Sequence, residues 1–405
     1  MKIAHIITRL IIGGAQENTL FNCEDLISNY GDDVLLITGL TAGPEGTLMD
    51  KTADTVPTVV VPSLVRSISP LHDVRAYFHI KEILRNFKPD VVHTHSAKAG
   101  IIGRAAAKAV NCPCIVHTVH GAPFYPEQNF AVRRFYQYCE RWAAKRCDAL
   151  ISVADAMTDL MVQANIAGKE KFSTIYSGMD IEPFLNSASC RQQTRSELGF
   201  SDSDIVIGKI ARLFNLKGHE FVIAAARSIV QRVPNVKFLF VGNGTLAQKH
   251  RREIKRQGLE KYFVFTGLVP PERIPAMLSA MDIVVHTSLR EGLARVLPQA
   301  MLAGKPVISY DIDGAREVVI NNETGFLIPP KQIEPLADAV VLLALNEDLR
   351  NKAGEIGREL CRNKIDRKIM TQRIRELYQR ILAANTSDDT AGVHGTCRKK
   401  GFRVQ

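Results

Sequence analysis

The sequence predicts an α/β protein of two doubly wound domains, each built on a parallel sheet. Short apolar runs alternate with helical stretches, the alternation breaks at a polar stretch over 185–204, and it then resumes. Apolar runs separated by helices are typical of parallel sheets that are covered on both faces. The length of 405 residues agrees with two or three domains of about 150 residues each.

Twelve strands carry this prediction. The first six lie in KIAHIIT, DVLLITG, TVVVPS, DVVHTH, CIVHTVHG and ALISVA, and the helices between them include 15–30, 74–87 and 130–146. The second six lie in IVIGKIAR, VKFLFVG, FVFTG, DIVVHTS, PVISY and GFLIP. We expect a first domain over 1–185, a second over 186–365, a closing helix over 366–384 and a basic disordered tail over 385–405. Ligands of such sheets bind beyond the carboxyl ends of the strands, so the residues that follow each strand, in a cleft between the domains, are the candidates for function.

Composition indicates the cellular compartment and the kind of partner. The formal net charge is +10, from 52 Lys and Arg against 42 Asp and Glu, and it favours an anionic partner such as nucleic acid, a phosphorylated ligand or an anionic lipid surface. Eight cysteines are scattered along the chain without the density of a disulfide scaffold, which agrees with a reducing cytoplasm. No run of eighteen apolar residues is present and Arg9 interrupts the apolar start, so neither a transmembrane helix nor a signal peptide is expected.

A glycine pair follows the first strand. Gly13 and Gly14 stand between KIAHIIT and the next helix, where glycine can take positive φ angles and let a ligand approach the backbone. The amides of the helix N-terminus point into the same crevice. A plain tight turn also accounts for the pair, and the pair is not the GxGxxG of a dinucleotide site, which argues against a dehydrogenase.

A basic pair follows the strand in IVIGKIAR. Arg212 stands at the carboxyl end of the strand and Lys217 at the start of the next helix. The guanidinium fork, the ammonium group and the helix amides can converge on one diphosphate. A solvated surface pair is the alternative.

The stretch DIVVHTSLREGLARVLPQAMLAGKPVIS places an acid in the loop after another strand. Pro298 fits only the first turn of a helix, so we expect this helix to begin near Leu297 and to end at Gly304. Glu291 then lies in the loop over the crevice and Gln299 in the first helical turn, both facing the site of the basic pair. A carboxylate there can accept hydrogen bonds from sugar hydroxyls. A helix N-cap is the alternative role, but Glu291 precedes the helix by too many residues to be that cap.

Together these motifs resemble glycosyltransferase family 4, whose members have the GT-B fold. The matching pieces, in the family's order, are the glycine pair, ARLFNLKG, VGNG with Gly242 and Gly244, FTG with Gly267, SLREGL with Ser288, Glu291, Gly292 and Leu293, AMLAGKPVI, DGAREVV and TGFLIPP. They cover most of residues 1–345. The resemblance implies two Rossmann-like domains, a nucleotide-diphosphate sugar as substrate, and no metal or other cofactor.

The resemblance also assigns roles to residues. It implies that Arg212 and Lys217 bind the donor diphosphate and that Glu291 contacts hydroxyls of the transferred sugar. The full set implied in donor binding is Gly13, Gly14, Arg212, Lys217, Gly242, Gly267, Glu291, Gly292, Leu293 and Gln299. The family's second acid, eight residues after Glu291, usually holds the ribose, and here it is Gln299. Charged hydrogen bonds contribute roughly twice as much as neutral ones, so we expect weaker donor binding.

Histidines end two strands of the first domain. His120 follows CIVHTV and His95 ends DVVHTH. The resemblance places a histidine such as His120 beside the anomeric carbon of the donor, where its carbonyl or ring stabilises developing positive charge. A core or turn histidine is the alternative. His95 is a further candidate for a contact with the acceptor or the sugar.

The stretch CPCIVHTVHG also offers a set of metal-ligand types. Its members are Cys112, Cys114, His117 and His120. Side chains alternate along a strand, so Cys114 and His120 share one face and His117 lies on the other. One ion cannot collect all four, and we expect no metal there.

We therefore expect a retaining, metal-independent hexosyltransferase that uses a nucleotide-diphosphate sugar and a glycan or lipid-linked acceptor, in cell-envelope polysaccharide or lipopolysaccharide synthesis. Its catalytic candidates are His120, Glu291, Arg212 and Lys217. A nucleotide-sugar 2-epimerase also has two Rossmann-like lobes, and Gln299 suggests a non-catalytic nucleotide-sugar binder as a further alternative. Nucleic-acid binding is disfavoured, because no basic stripe is interleaved with aromatic residues in the manner of a recognisable module.

Positive charge is concentrated in the first domain. Residues 66–146 hold thirteen Lys or Arg and five Asp or Glu, and RKKGFR over 398–403 adds four positive charges. The helix over 130–146 carries aromatic and basic residues together. One interpretation is that its aromatic residues pack on the core and its charges are solvated. The other is peripheral attachment to the anionic inner face of the membrane, where a lipid-linked acceptor would be presented.

Overall fold

The structure, a computed structural model, describes residues 1–41, 46–52, 55–125 and 128–394, apart from the side chains of Lys51 and of residues 387–394. The strands are β1 Lys2–Ile7, β2 Asp33–Thr38, β3 Thr58–Val60, β4 Val91–His95, β5 Cys114–Val119, β6 Ala149–Ser152, β7 Phe172–Thr174, β8 Ile205–Ile210, β9 Val236–Val241, β10 Phe263–Gly267, β11 Ile283–His286, β12 Val307–Tyr310 and β13 Gly325–Ile328. The α-helices are α1 Gly14–Tyr30, α2 Met49–Thr52, α3 Pro70–Phe87, α4 Ala97–Ala109, α5 Phe130–Ala144, α6 Asp155–Gln163, α7 Glu182–Leu185, α8 Arg191–Glu197, α9 His219–Arg232, α10 Ala247–Arg256, α11 Ile274–Ala280, α12 Val296–Leu302, α13 Ile333–Leu345, α14 Glu347–Arg362 and α15 Arg367–His394.

The first compact unit comprises the described residues of Met1–Val153, of Thr158–Gly178 and of the C-terminal stretch from Arg367. Its seven strands are parallel and lie in the order β3-β2-β1-β4-β5-β6-β7. The winding reverses between β1 and β4, where His5 pairs with His93 across the two strands. Such a reversal leaves a crevice at the carboxyl ends of the two central strands.

The second compact unit comprises Ala154–Met157 and Met179–Asp366. Its six parallel strands lie in the order β10-β9-β8-β11-β12-β13. Here the winding reverses between β8 and β11, with Ile283 paired to Ile207. The loops that follow these two strands carry the basic pair and the acidic loop predicted from sequence, so both lie at the crevice of this sheet.

Each sheet has its own apolar core, as a parallel sheet covered on both faces requires. In the first unit, Ile3 of β1 and Leu26 of α1 belong to one buried cluster with Met370 and Tyr378 of α15. In the second, Phe238 and Phe240 of β9 cluster with residues of α9 and α13. The predicted α/β architecture is confirmed.

The closing helix differs from its prediction in length and in place. α15 runs to His394, so the first ten residues of the predicted tail over 385–405 are helical. Residues 395–405, including RKKGFR, lie outside the described residues. The helix belongs to the first unit, because its buried residues Met370, Ile374, Leu377 and Tyr378 join the core of that sheet. Sequence periodicity shows that a helix has an apolar face, but not which distant core it covers.

The polar stretch over 185–204 is part of the second unit and not a linker, and the compact units divide after Gly178 instead of near residue 185. Its helix α8 contains Arg195, which is buried. The Arg195 guanidinium donates to the carbonyl of Ser201 at 2.6 Å and pairs with Asp282 at 3.2 Å. Polar composition was misleading here because the hydrogen bond to Ser201 and the ion pair with Asp282 offset the cost of burying the charge.

No helix in the described part of the chain is both long enough and apolar enough to cross a membrane.

Candidate active site

The loop between β8 and α9 presents the predicted basic pair. Arg212 is exposed, and its guanidinium lies 5.4 Å from the centre of the Phe214 ring. Lys217 precedes Gly218, the N-cap of α9. Nζ of Lys217 lies 2.5 Å from Oε1 of Glu291. The structure therefore brings Lys217 and Glu291 into contact and places Arg212 on the same loop.

Gly218 holds this loop against the end of β11. Its φ is 72°, and a Cβ there would come within 1.8 Å of the backbone oxygen of Thr287. The hydroxyl of Thr287 donates to the carbonyl of Gly218 at 2.6 Å, and the N–H of Leu289 donates to the carbonyl of Leu216 at 2.8 Å. Only glycine combines the left-handed φ with so close an approach. The N-terminus of α9 is thereby fixed at the end of β11, which precedes the loop that carries Glu291.

Lys209 was not among the residues predicted from the sequence. It stabilises the loop through a hydrogen bond to Thr287. It lies in β8, is fully buried, and donates from Nζ to Oγ1 of Thr287 at 3.0 Å. Burial lowers the pKa of Lys209 to about 7, against the influence of the Glu291 carboxylate. The signal available in the sequence was a lysine in the middle of the apolar strand IVIGKIAR.

Glu291 is held through both its backbone and its carboxylate. Its N–H donates to Oδ2 of Asp313 at 2.6 Å. Its Oε1 lies 3.8 Å from Nε2 of His286, which is buried. Burial, reinforced by Lys209 and Lys217, holds the pKa of His286 well below its usual range. This ring is therefore neutral, and Lys217 is the cation that balances the carboxylate.

The remaining glycines of the predicted donor set lie in turns around these loops. Gly242 follows β9, and Gly267 is the last residue of β10. The N–H of Gly242 donates to the carbonyl of Gly267 at 2.9 Å. Gly242 has a φ of 135°, and a Cβ there would come within 2.2 Å of the carbonyl oxygen of Ala211. Gly292 accepts from the N–H of Gly314 at 3.1 Å. These glycines let the backbone of one loop pass close to the next.

The short helix after the acidic loop is confirmed. α12 covers Val296–Leu302 with Pro298 in its first turn, and Gly304 follows with a φ of 70°. Gln299 is the fourth residue of the helix, and Leu293 lies in the loop before it; both are half-buried. The structure thus places Gln299 one helical turn from the acidic loop.

The first unit brings the two predicted histidines together. His120 follows β5, and its Nε2 lies 3.1 Å from Nδ1 of His95, which is buried at the end of β4. The glycine pair lies at the start of α1, as predicted, but its glycines do not use the positive φ angles that glycine allows. Gly13 has an extended φ of 175°, and neither Gly13 nor Gly14 is left-handed. A Cβ at Gly13 would meet only the flexible end of Gln16, at 2.8 Å.

The cysteine and histidine set after β4 is divided between the faces of the sheet, as predicted. Nδ1 of His117 lies 2.9 Å from Oγ1 of Thr94, whereas His120 contacts His95. The structure gathers a different group, His5, His93 and His95, whose ring nitrogens lie within 4.8 Å of one another. The sequence signal for this group was the spacing of His93 and His95, which puts both on one face of their strand. The first strand also contains a histidine, His5.

Comparison with known proteins decides the family. Residues 13–183 match the model described as Glycosyltransferase Family 4, and residues 191–360 match the one described as Glycosyl transferases group 1. The chain is 31% identical over 90% of its length, and 92% of the relative's, to an Escherichia coli UDP-Gal:alpha-D-GlcNAc-diphosphoundecaprenol alpha-1,3-galactosyltransferase. The chain belongs to glycosyltransferase family 4.

A second relative agrees with this assignment, and a solved structure has the same fold. A Staphylococcus aureus capsular polysaccharide biosynthesis glycosyltransferase, CapM, is 25% identical over 80% of this chain and 85% of its own. The structure of Anabaena HepE in complex with UDP has a TM-score of 0.79 at 24% identity and covers 94% of this glycosyltransferase and all of that chain. The expected GT-B fold, with two Rossmann-like units of parallel sheet, is confirmed for this glycosyltransferase.

Proposed function

We propose that this glycosyltransferase is a retaining enzyme that moves a hexose from a nucleotide-diphosphate sugar to a polyprenyl-diphosphate-linked glycan. The proposed setting is cell-envelope polysaccharide or lipopolysaccharide synthesis at the inner face of the cytoplasmic membrane. The observation that carries the proposal is the Lys217–Glu291 contact of 2.5 Å at the N-terminus of α9. The donor and acceptor in the name of the E. coli relative support the choice of substrates.

The diphosphate of the donor binds at the mouth of α9. Arg212 is exposed on the loop and offers a planar fork to two phosphate oxygens. Lys217 adds a point charge, and the amides of α9 add the partial positive charge of a helix N-terminus. Lys217 is held by Glu291 and the amides by the helix before the reaction, and together with Arg212 they stabilise the charge that develops on the leaving diphosphate.

The sugar and the nucleoside are held by the acidic loop and the helix after it. Glu291 is positioned by Lys217 and by the bond from its N–H to Asp313, and its carboxylate accepts hydrogen bonds from sugar hydroxyls. Gln299 bonds a ribose hydroxyl as a neutral amide. Its neutrality makes the nucleoside contact weaker than an acid would.

The transfer step follows the family resemblance. The bond between the anomeric carbon and the diphosphate oxygen breaks, and the acceptor hydroxyl oxygen bonds to the same face of that carbon. The departing phosphate oxygen takes the hydroxyl proton, and no enzyme nucleophile or metal takes part. The carbonyl or the ring of His120 stabilises the positive charge that develops on the sugar.

The acceptor binds in a cavity of about 600 Å³ in the first unit. The lining combines cations with apolar side chains, among them Arg9, Arg66, Lys98, Ile68, Ile101 and Phe135. Lys98 pairs with Asp73 at 2.5 Å, which leaves the two guanidinium groups as the main positive charge of the cavity. Guanidinium groups beside an apolar wall suit a diphosphate that is attached to a hydrocarbon chain.

Two helices of the first unit present the surface for the membrane. Leu71, Val74 and Phe78 of α3 are 75%, 56% and 60% exposed and share one helix face by their spacing. In α5, Phe130, Phe135 and Tyr138 are also exposed, so the interpretation in which the aromatic residues of α5 pack on the core is wrong for these three. Exposed apolar side chains beside arginines suit an anionic lipid surface.

Product analysis tests the proposed reaction. The purified chain is incubated with UDP-, GDP- and ADP-hexoses, including UDP-galactose, and with a polyprenyl-diphosphate-linked N-acetylglucosamine. We expect an acceptor-dependent product whose new linkage has the α configuration of the donor, and the same yield in EDTA. An inverted linkage would disprove retention. Altered donor without acceptor would indicate an epimerase, and donor binding without turnover on any acceptor would indicate a binding protein.

A further inference from the structure

A chain of three imidazoles runs from the core of the first sheet to His120. His5 lies in β1, His95 ends β4 and His120 follows β5, and these strands are neighbours in the sheet. Nδ1 of His5 lies 3.0 Å from Nε2 of His95, and Nδ1 of His95 lies 3.1 Å from Nε2 of His120. The ring planes differ by only 16° and 28°. Each neighbouring pair is therefore joined by one N–H···N hydrogen bond.

Burial keeps the two inner rings neutral. His5 and His95 are fully buried. Burial lowers the pKa of His5 to about 3 and, together with the neighbouring histidines, holds the pKa of His95 well below its usual range. A neutral imidazole has one N–H and one lone pair. Each neutral ring therefore donates one hydrogen bond from one nitrogen and accepts one at the other.

When His120 is neutral as well, the chain allows only two orders of protons. If His95 carries its proton on Nδ1, it donates to His120 and accepts from Nδ1 of His5, so all three neutral rings carry the proton on Nδ1. If His95 carries its proton on Nε2, all three carry it on Nε2. A single ring that changed alone would bring two lone pairs or two N–H groups face to face, and a buried hydrogen bond would be lost.

We propose that His95 is a positioning residue that sets the tautomer of His120, and that His5, His95 and His120 change tautomer only together. The consequence for turnover rests on the proposed role of His120. Because Nε2 of His120 is engaged by His95, the order of protons in the chain decides whether Nδ1 of His120 is a donor or an acceptor. The buried histidines thereby determine how His120, which follows the carboxyl end of β5, can hydrogen-bond.

The third buried histidine of this group stays outside the chain. Nδ1 of His93 lies 2.5 Å from the hydroxyl of Tyr378, and its Nε2 lies 2.7 Å from Oγ1 of Thr118. At the inner end, Nε2 of His5 has no hydrogen-bond partner among the described residues. Among the described residues, the chain of imidazoles therefore begins at His5, and His93 is not part of it.

Nitrogen NMR tests the coupling directly. The full chain is labelled with ¹⁵N-histidine, and two-bond proton–nitrogen correlations, assigned with single variants, identify the protonated nitrogen of each ring. We expect His5, His95 and His120 to show the same tautomer, and we expect the His120 signals in His95→Phe to move towards an average of both. Opposite tautomers in neighbouring rings would overturn the proposal. So would an unchanged His120 spectrum in His95→Phe, or a stoichiometric metal in the purified protein that is lost in His5→Phe.

Paired substitutions test the positioning role in turnover. Asn places its amide near the position of Nδ1, and Gln places it near the position of Nε2, so His95→Asn keeps the contact with His120 and His95→Gln loses it. We expect His95→Gln to lower kcat about tenfold or more with little change in the KM for the donor, and we expect His95→Asn to retain most of the turnover. Equal losses in both variants would mean a merely structural role.

Two further variants separate the tautomer coupling from the catalytic role of His120 and from the stability of the sheet. His117→Gln is the matched control, since His117 is buried in the same sheet and bonds to Thr94 instead; it should melt earlier with unchanged kcat. If His120→Ala keeps full turnover, the proposed role of His120 is wrong, but the NMR result still decides the coupling. If His120→Ala is inactive and the wild type shows opposite tautomers in neighbouring rings, the coupling is wrong and the proposed function stands.

Discussion

At the scale of single residues, the proposed donor chemistry depends on two cations on one loop. Arg212→Ala and Lys217→Ala should each lower turnover by on the order of 10²-fold or more, because each removes a fixed charge opposite the leaving diphosphate. Steady-state kinetics with melting curves measure this. Arg232→Ala is the control, because Arg232 pairs with Asp338 on the surface at the other end of α9. Near-normal activity of either site variant with every donor would refute the diphosphate assignment.

Gln299 is the residue of the predicted donor set at which the resemblance implies an acid. Gln299→Glu should preserve kcat and tighten nucleotide binding, because a carboxylate makes a stronger hydrogen bond to a ribose hydroxyl than an amide does. Titration calorimetry with the free nucleoside diphosphate measures the change. A variant that is inactive but melts normally would show that the amide has a specific role of its own.

At the scale of elements, α3 and α5 carry the proposed membrane surface. The chain should co-sediment with anionic vesicles and not with neutral ones, and binding should weaken as salt rises, since each Lys or Arg near the surface contributes roughly 1 kcal/mol. Replacing Leu71 and Phe78 with Ser should reduce binding, because it removes apolar side chains from the exposed face of α3. Removing residues 395–405 should reduce it through loss of charge.

The control for this experiment lies in the other unit. Leu345 at the end of α13 is 68% exposed, so Leu345→Ser removes a comparable apolar side chain from a surface with no proposed lipid contact. Binding of this variant should equal that of the wild type. Equal sedimentation of the wild type with neutral and anionic vesicles would leave a water-soluble acceptor as the better proposal.

At the scale of the whole molecule, buried histidines make stability dependent on pH. Burial lowers the pKa of His5, His93, His95, His117, His219, His250 and His286. Between the ordinary histidine pKa of about 6.5 and the lowered folded values, the unfolded chain binds more protons than the folded one. The contribution of these histidines to stability is therefore complete above about pH 7 and is lost as the pH falls below the ordinary histidine value.

Melting temperatures between about pH 7.5 and about pH 5, a window that brackets the ordinary histidine pKa, measure this loss. His117→Asn removes one group that protonates on unfolding, and its melting temperature should fall less steeply with acid than that of the wild type. His72→Asn, at an exposed position, should follow the wild-type slope. Parallel curves for His117→Asn and the wild type would mean that other groups cause the acid sensitivity.

The class of fold and the placement of several candidate-site residues can be predicted from the order of the amino acids. Apolar runs with helices between them specify parallel strands because both faces of such a sheet are buried. Gly218 and Pro298 mark loop and helix boundaries because each restricts the backbone in a way that few other residues match. For this reason the predicted loop with Lys217 and the predicted helix with Gln299 both lie where the sequence placed them.

Which distant groups meet is set by the packing of the strands and not by any local pattern. The contact of Lys217 with Glu291 spans 74 residues of sequence, and that of His5 with His95 spans 90. These contacts arise because reversals of winding set β1 beside β4 and β8 beside β11, which brings the ends of those strands together. The same is true of burial, since only the packed sheets show that Lys209 and the inner histidines are removed from water, and that removal shifts their pKa values and fixes their hydrogen bonds.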